Sequence, residues 1–133
     1  MSVNENAKIG WAVADAFNRR DVGSLEALLA PDAEIVPIRA AVDQTVYRGP
    51  DVAARWFAAV DDSWEELVVI VEEVRATADC GVALGRVRGR GRASGVAIDV
   101  EAAAVARLHN GLITHIQIYT DRAKALESAG LAE

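Results

Sequence analysis

Apolar residues at Ile9, Val13, Ala16 and Phe17 recur at helical spacing and predict an amphipathic helix over residues 6–20. Asp21-Val22-Gly23 breaks that period. Ser24 is placed to cap a short helix over 25–30, with Glu26 in its first turn, and Pro31-Asp32 ends it. Residues 33–38 read as a strand, where Pro37 marks an edge or a bulge. A loop over 39–49 follows. Pro50 then stands at the first position of a third helix, whose apolar stripe is Val52, Trp56, Ala59 and Val60. Beyond it the period changes. Leu67 to Val74 is apolar on both faces, as in a strand covered on both sides. Residues 82–92, 96–109 and 112–120 read as strands, turned at Ser94-Gly95 and at Asn110-Gly111. Asp121 caps a terminal helix over 122–129, stopped by Gly130. Three helices with one early strand, then an antiparallel meander, define an α+β fold with helices on one face of a curved sheet. The length and the absence of repeats or linkers predict a single domain over residues 1–133.

Asn110-Gly111 lies between two strand-like runs and predicts a type I′ hairpin. A plain two-residue turn sets Ala106 opposite His115, Ala104 opposite Gln117 and Ala102 opposite Tyr119. Such pairs lie roughly 5 Å apart. That face has three polar groups over three methyl groups, with room for a ligand. The other face pairs Val105 with Ile116 and Ala103 with Ile118, and needs cover. Arg86, Arg88, Arg90 and Arg92 share one side of their strand by period two. A two-residue Ser94-Gly95 turn sets Arg90 against Asp99 and Arg88 against Glu101, on the Val105 face away from His115. Cross-strand pairing or a subunit interface is the reading favoured over an anion site.

Composition narrows the classes. The hydrophobic share of 52% excludes a disordered chain, and the net charge of −6 argues against nucleic acid as a partner. There is no run of about 18 apolar residues, so no membrane span is expected. The first residues lack the basic and apolar regions of a signal peptide. A single cysteine, Cys80, fits a reducing cytoplasm, and its Asp79 and Gly81 neighbours mark a turn residue rather than a nucleophile. His109 and His115 fall on opposite faces in the simple register, so no metal site and no cofactor are expected.

Three stretches carry a family resemblance: Ala16-Phe17-Asn18-Arg19-Arg20-Asp21 through Leu28-Leu29-Ala30-Pro31-Asp32-Ala33; Tyr47-Arg48-Gly49-Pro50; and Arg107-Leu108-His109-Asn110-Gly111-Leu112-Ile113 through Tyr119-Thr120-Asp121-Arg122, then Ala125-Leu126-Glu127 to Gly130. In order and spacing the chain resembles the SnoaL-like domains of the nuclear transport factor 2-like (ketosteroid isomerase-like) superfamily. The resemblance implies a cystatin-like cone, a curved sheet wrapped round a pocket closed by helices, often a homodimer through the outer sheet face. It does not fix a function. Where ketosteroid isomerases keep a tyrosine and two acids, this chain has Val13, Pro37 and Ala104. Where polyketide cyclases and limonene epoxide hydrolases keep a last-strand aspartate, it has Gln117. An amide orients a ligand but exchanges no proton at useful pH.

The remaining candidate base is His115, with Asp43 or Tyr47 as partner. The plainer alternative is a histidine satisfied by a neighbouring hydroxyl or backbone group. Tyr119 is either a donor to a carbonyl or a core tyrosine; Arg39 and Asp43 are a loop ion pair or rim groups. Trp56 and Trp64 are core residues or pocket walls. The expected pocket comprises Val13, Phe17, Tyr47, Trp56, Ala102, Ala104, Ala106, His115, Gln117 and Tyr119. The expected function is binding of a small apolar molecule. The alternatives are an isomerase, lyase or hydrolase acting on a polycyclic or terpenoid-like substrate, and an interaction module using the outer sheet face.

Overall fold

A computed structural model of the chain describes residues 3–38 and 44–131. The elements are α1 (Val3–Arg19), α2 (Val22–Glu26), β1 (Leu29–Val36), β2 (Tyr47–Arg48), α3 (Val52–Ser63), β3 (Trp64–Ala76), β4 (Cys80–Gly91), β5 (Ala97–His109), β6 (Leu112–Tyr119) and α4 (Arg122–Ser128). The fold is α+β, as the periodicities predict. The strands form one six-stranded sheet in the order β2-β1-β6-β5-β4-β3. All neighbours are antiparallel except β1 and β6, which run parallel. The parallel pair follows from the long connection between those strands, and β2 lies inside the expected loop.

Several local expectations are corrected. Asp21, not Ser24, caps α2: its carboxylate accepts from the Ser24 N–H at 3.1 Å and the Ser24 hydroxyl at 2.7 Å. That second bond comes first among the causes holding the Asp21 pKa low. Pro50 lies outside α3, whose N-cap is Asp51 in the left-handed region. Cys80 is a buried residue at the start of β4 rather than a turn residue. Val68 and Ile70 on β3 are exposed outward (41% and 36%), so that strand is covered on one side only. Apolar composition alone did not distinguish a doubly covered strand from an edge strand.

Two glycines set the geometry of β4. A Cβ at Gly85 would run into the Ile70 carbonyl of β3, beside the irregularity between Val71 and Glu73. A Cβ at Gly81 would lie 2.7 Å from the Asn6 carbonyl oxygen of α1. Their missing side chains let β3 and α1 approach closely. Asn6, fully buried, reinforces this contact by donating from Nδ2 to the Thr77 and Ala78 carbonyls at 2.8 and 3.1 Å.

The core has two parts. On the concave side of the sheet α1 and α3 bury Val13, Phe17, Trp56 and Phe57 against Ile35, Ala106, Ile113 and Ile116. On the convex side α4 lays Ala125 and Leu126 over Cys80, Val82, Leu84, Ala103 and Val105. Of the apolar strip expected to need cover, Val105 and Ala103 receive it from the chain's own last helix, whereas Ile116 and Ile118 lie on the concave side. Among the described residues no helix is long and apolar enough to cross a membrane.

Candidate functional site

The Asn110-Gly111 turn forms, with φ of 51° and 80°. The strands leave it in the expected register, His109 opposite Leu112 and Leu108 opposite Ile113, and then an irregularity intervenes. From Arg107 onward the partners are His115, then Ile116 for Ala106, Gln117 for Val105, Ile118 for Ala104 and Tyr119 for Ala103. Thr114 is the extra residue, a bulge that reverses the parity of the rest of β6. The hairpin end is tied elsewhere: the Leu108 N–H donates to the Asp79 carbonyl and the Ile113 N–H to the Leu28 carbonyl, each at 2.8 Å.

This bulge overturns the expected placement of three residues. His115, Gln117 and Tyr119 stand on the convex side and do not line the concave cavity. His109 joins His115 on that side by strand alternation, although among the described residues no three His, Cys, Asp or Glu groups gather in a metal-holding arrangement. Tyr119 packs with the α4 cluster. His115 Nδ1 is 3.6 Å from Glu34 Oε1 on β1, whose Oε2 pairs with Arg48 Nε at 3.1 Å. Glu34 is the partner that the sequence reading missed. Asp43 and Arg39 lie outside the described residues.

The concave side holds a cavity of about 290 Å³. Of the expected residues Val13, Phe17, Tyr47, Trp56, Ala102, Ala104 and Ala106 line it. Its floor is made of small residues, Gly81, Ala83 and Gly85 from β4 beside the β5 alanines, with Ile116 and Ile118 from β6. Sequence reasoning missed the β4 contribution, although Gly81, Ala83 and Gly85 show it at period two. Leu67 and Val69 on β3 and Trp64 complete the wall. Ile98, Val100 and Thr120 also line it, and Val100 and Thr120 are exposed, marking the open end.

The helical wall is held rigidly. The Phe17 ring centroid lies 5.1 Å from Trp56 and 5.8 Å from Phe57, spacings typical of attractive aromatic pairs. Arg20, over the Phe17 ring at 4.4 Å, joins three elements: Nε pairs with Asp61 of α3 at 2.9 Å, and Nη2 donates to the Leu67 carbonyl of β3 at 3.0 Å. Arg92 leaves the arginine stripe and donates to the Asp61 and Trp64 carbonyls, fixing the end of α3.

The remaining arginines sit on the convex side, with His115 rather than away from it. The loop after β4 is longer than two residues, so Arg88 faces Asp99 and Arg86 faces Glu101. Arg86 Nε donates to Asp99 Oδ1 at 2.6 Å and Arg88 Nε to Oδ2 at 3.0 Å. The Arg86 hydrogen bond is the leading cause that lowers the Asp99 pKa. Among the described lining residues none is Asp, Glu, His or Lys, and Arg86 is turned to Asp99. The cavity can enclose apolar surface and meet a hydroxyl or carbonyl through Tyr47, Ser63 or Thr120.

A curved sheet closed by helices over an apolar cavity is the architecture of the nuclear transport factor 2-like, cystatin-fold proteins. The SnoaL-like domain model matches residues 12–116, and the chain belongs to that family. The chain resembles an NTF2-like protein of unknown function from Burkholderia pseudomallei K96243 (TM-score 0.77, 22% identity, 97% of this chain and 98% of that one). It is also similar to a protein assigned as a SnoaL-like polyketide cyclase from a Jannaschia species (TM-score 0.75, 19% identity, 96% and 92%). A third likeness is to an uncharacterised cystatin-fold protein from Novosphingobium aromaticivorans (TM-score 0.70, 15% identity, 86% and 97%). At these identities the likeness carries the fold alone. Among curated proteins none matches the chain.

Proposed function

We propose that the protein binds a small apolar molecule on the concave side of its sheet. The observation that carries this reading is the floor of glycine and alanine beneath α1 and α3. It leaves about 290 Å³ open where larger side chains would have filled the core. Protein interiors are otherwise packed nearly as densely as organic crystals, so such a space is a feature to be explained. Its volume is close to the lower end of the range for ligand sites. The lining supplies aromatic and aliphatic surface with a few hydroxyls, as ligand sites do.

A catalytic reading, in the manner of the polyketide cyclases whose name two neighbours carry, needs an acid or base within reach of the substrate. His115 is withdrawn from the cavity by the bulge, and Gln117 with it. Binding without proton transfer is therefore the reading favoured here. The same proposal includes a homodimer through the convex face, where Val68 and Ile70 are exposed beside paired charges.

Native mass spectrometry of the protein isolated from its own cells tests the binding reading. The expected result is a bound small molecule, released by organic solvent and lost in Ala104→Leu. Wild-type protein that carries no such molecule and takes up none from a panel of uncharged hydrocarbons would refute it.

A further inference from the structure

We propose, resting on the binding reading above, that the ligand is an uncharged molecule of about ten to twelve non-hydrogen atoms, the size of two fused rings, rather than a steroid-sized polycycle. The argument starts from volume. A dry apolar cavity of about 150 Å³ accommodates one benzene ring. The space here, about 290 Å³, is about twice that. Two rings fill it; four fused rings would extend past its open end at Val100 and Thr120 and leave apolar surface in water.

Several ties brace the walls against a larger guest. Arg20 fastens α1 to α3 and β3, and Arg92 holds the end of α3. At the other end of α3, Arg55 donates to the Arg48 and Pro50 carbonyls, and the Ala53 N–H donates to Glu26 Oε1. The floor is a continuous sheet whose β3–β4–β5 strands pair along most of their length. Growing the cavity would break these ties.

The described lining argues against a charged ligand on separate grounds. An ion buried without a partner costs far more than apolar contact returns. No described lining residue is a carboxylate, a lysine or a histidine. The one guanidinium among them, Arg86, donates from Nε to Asp99 Oδ1 and from Nη2 to the Asp99 carbonyl. Among the described lining residues a polar group on the ligand has hydroxyls to meet, on Tyr47, Ser63 or Thr120.

Isothermal titration of the full chain with phenol, 1-naphthol, naphthalene-1-sulfonate and progesterone tests this. The expected order has 1-naphthol at least tenfold tighter than phenol and progesterone, and at least a hundredfold tighter than the sulfonate. Progesterone binding as tightly as 1-naphthol would overturn the size assignment while leaving apolar binding intact. Equal binding of the sulfonate would overturn the neutrality. Binding of none of the four would remove the underlying reading and this inference with it. In Ala104→Leu, whose added atoms shorten the space, 1-naphthol should weaken at least tenfold and phenol less than threefold. Equal loss of both would contradict a volume limit.

Discussion

Asp99 stands between Arg86 and Arg88, and its carboxylate is held ionised chiefly by the Arg86 hydrogen bond. A group whose folded pKa is depressed stabilises the fold above its unfolded pKa, and that contribution is lost as pH falls through the folded value. Arg86→Met should therefore raise the Asp99 pKa toward the ordinary carboxylate value, readable by NMR titration of the side-chain carboxyl. The variant should lose a little stability at neutral pH and none at a pH below both values, because the pair is then already uncharged on one side. An unchanged Asp99 titration would show that the pairing is not formed in solution. At this scale the sequence was partly legible. The alternation of arginines against Asp99 and Glu101 predicted opposed charges, and opposed charges form, displaced by two positions because the connecting loop is longer than Ser94-Gly95. His115 was not legible in the same way. Its partner, Glu34, lies far away in the chain and meets it only through the parallel pairing of β1 with β6.

The hairpin carries the main lesson at the scale of elements. The type I′ turn could be read from Asn-Gly, and the faces of the strands beyond it could not. One unpaired residue, Thr114, reverses them. A signal against the simple register was present: beyond Thr114, Ile116 and Ile118 are the large aliphatic residues of β6, and the helices must pack on the concave side. Placing His115, Gln117 and Tyr119 there gave the polar set the position that burial favours for isoleucine. The edge strand β3 shows another element-level device. Asn18 of α1 donates from Nδ2 to the Val69 carbonyl at 2.9 Å and accepts from the Val69 N–H at 2.8 Å, as a neighbouring strand would. Arg20 takes the Leu67 carbonyl. An exposed edge invites pairing with another chain, and this one is occupied from within at Leu67 and Val69. Asn18→Ala should free it. Hydrogen exchange at Val69 is expected to accelerate about fivefold, from the loss of a bond contributing about 1 kcal/mol, and self-association should rise. Unaltered exchange at Val69 would mean the edge is shielded by something else.

For the whole molecule, the two sides of one sheet do different work. The concave side, under α1 and α3, is built of small residues and keeps space; the convex side is partly closed by α4 and otherwise charged or apolar at the β3 edge. If the convex face joins two copies, Ile70→Asp should lower the association constant at least tenfold in sedimentation equilibrium, since it sets a carboxylate against a desolvated partner. An unaffected dimer would place the contact elsewhere, and a wild-type monomer at high concentration would remove it. The general shape was legible because helical and alternating periods are local. The division of labour was not, because it depends on a bulge and on the cover supplied by the last helix. The account rests on the separation of His115 from the cavity. It is tested most directly by NMR of the protein saturated with 1-naphthol. The Trp56 indole N–H and the Ala104 methyl should shift, while the His115 imidazole resonances stay where they are. Imidazole shifts as large as those of Trp56 would contradict the account and return His115 to the binding site.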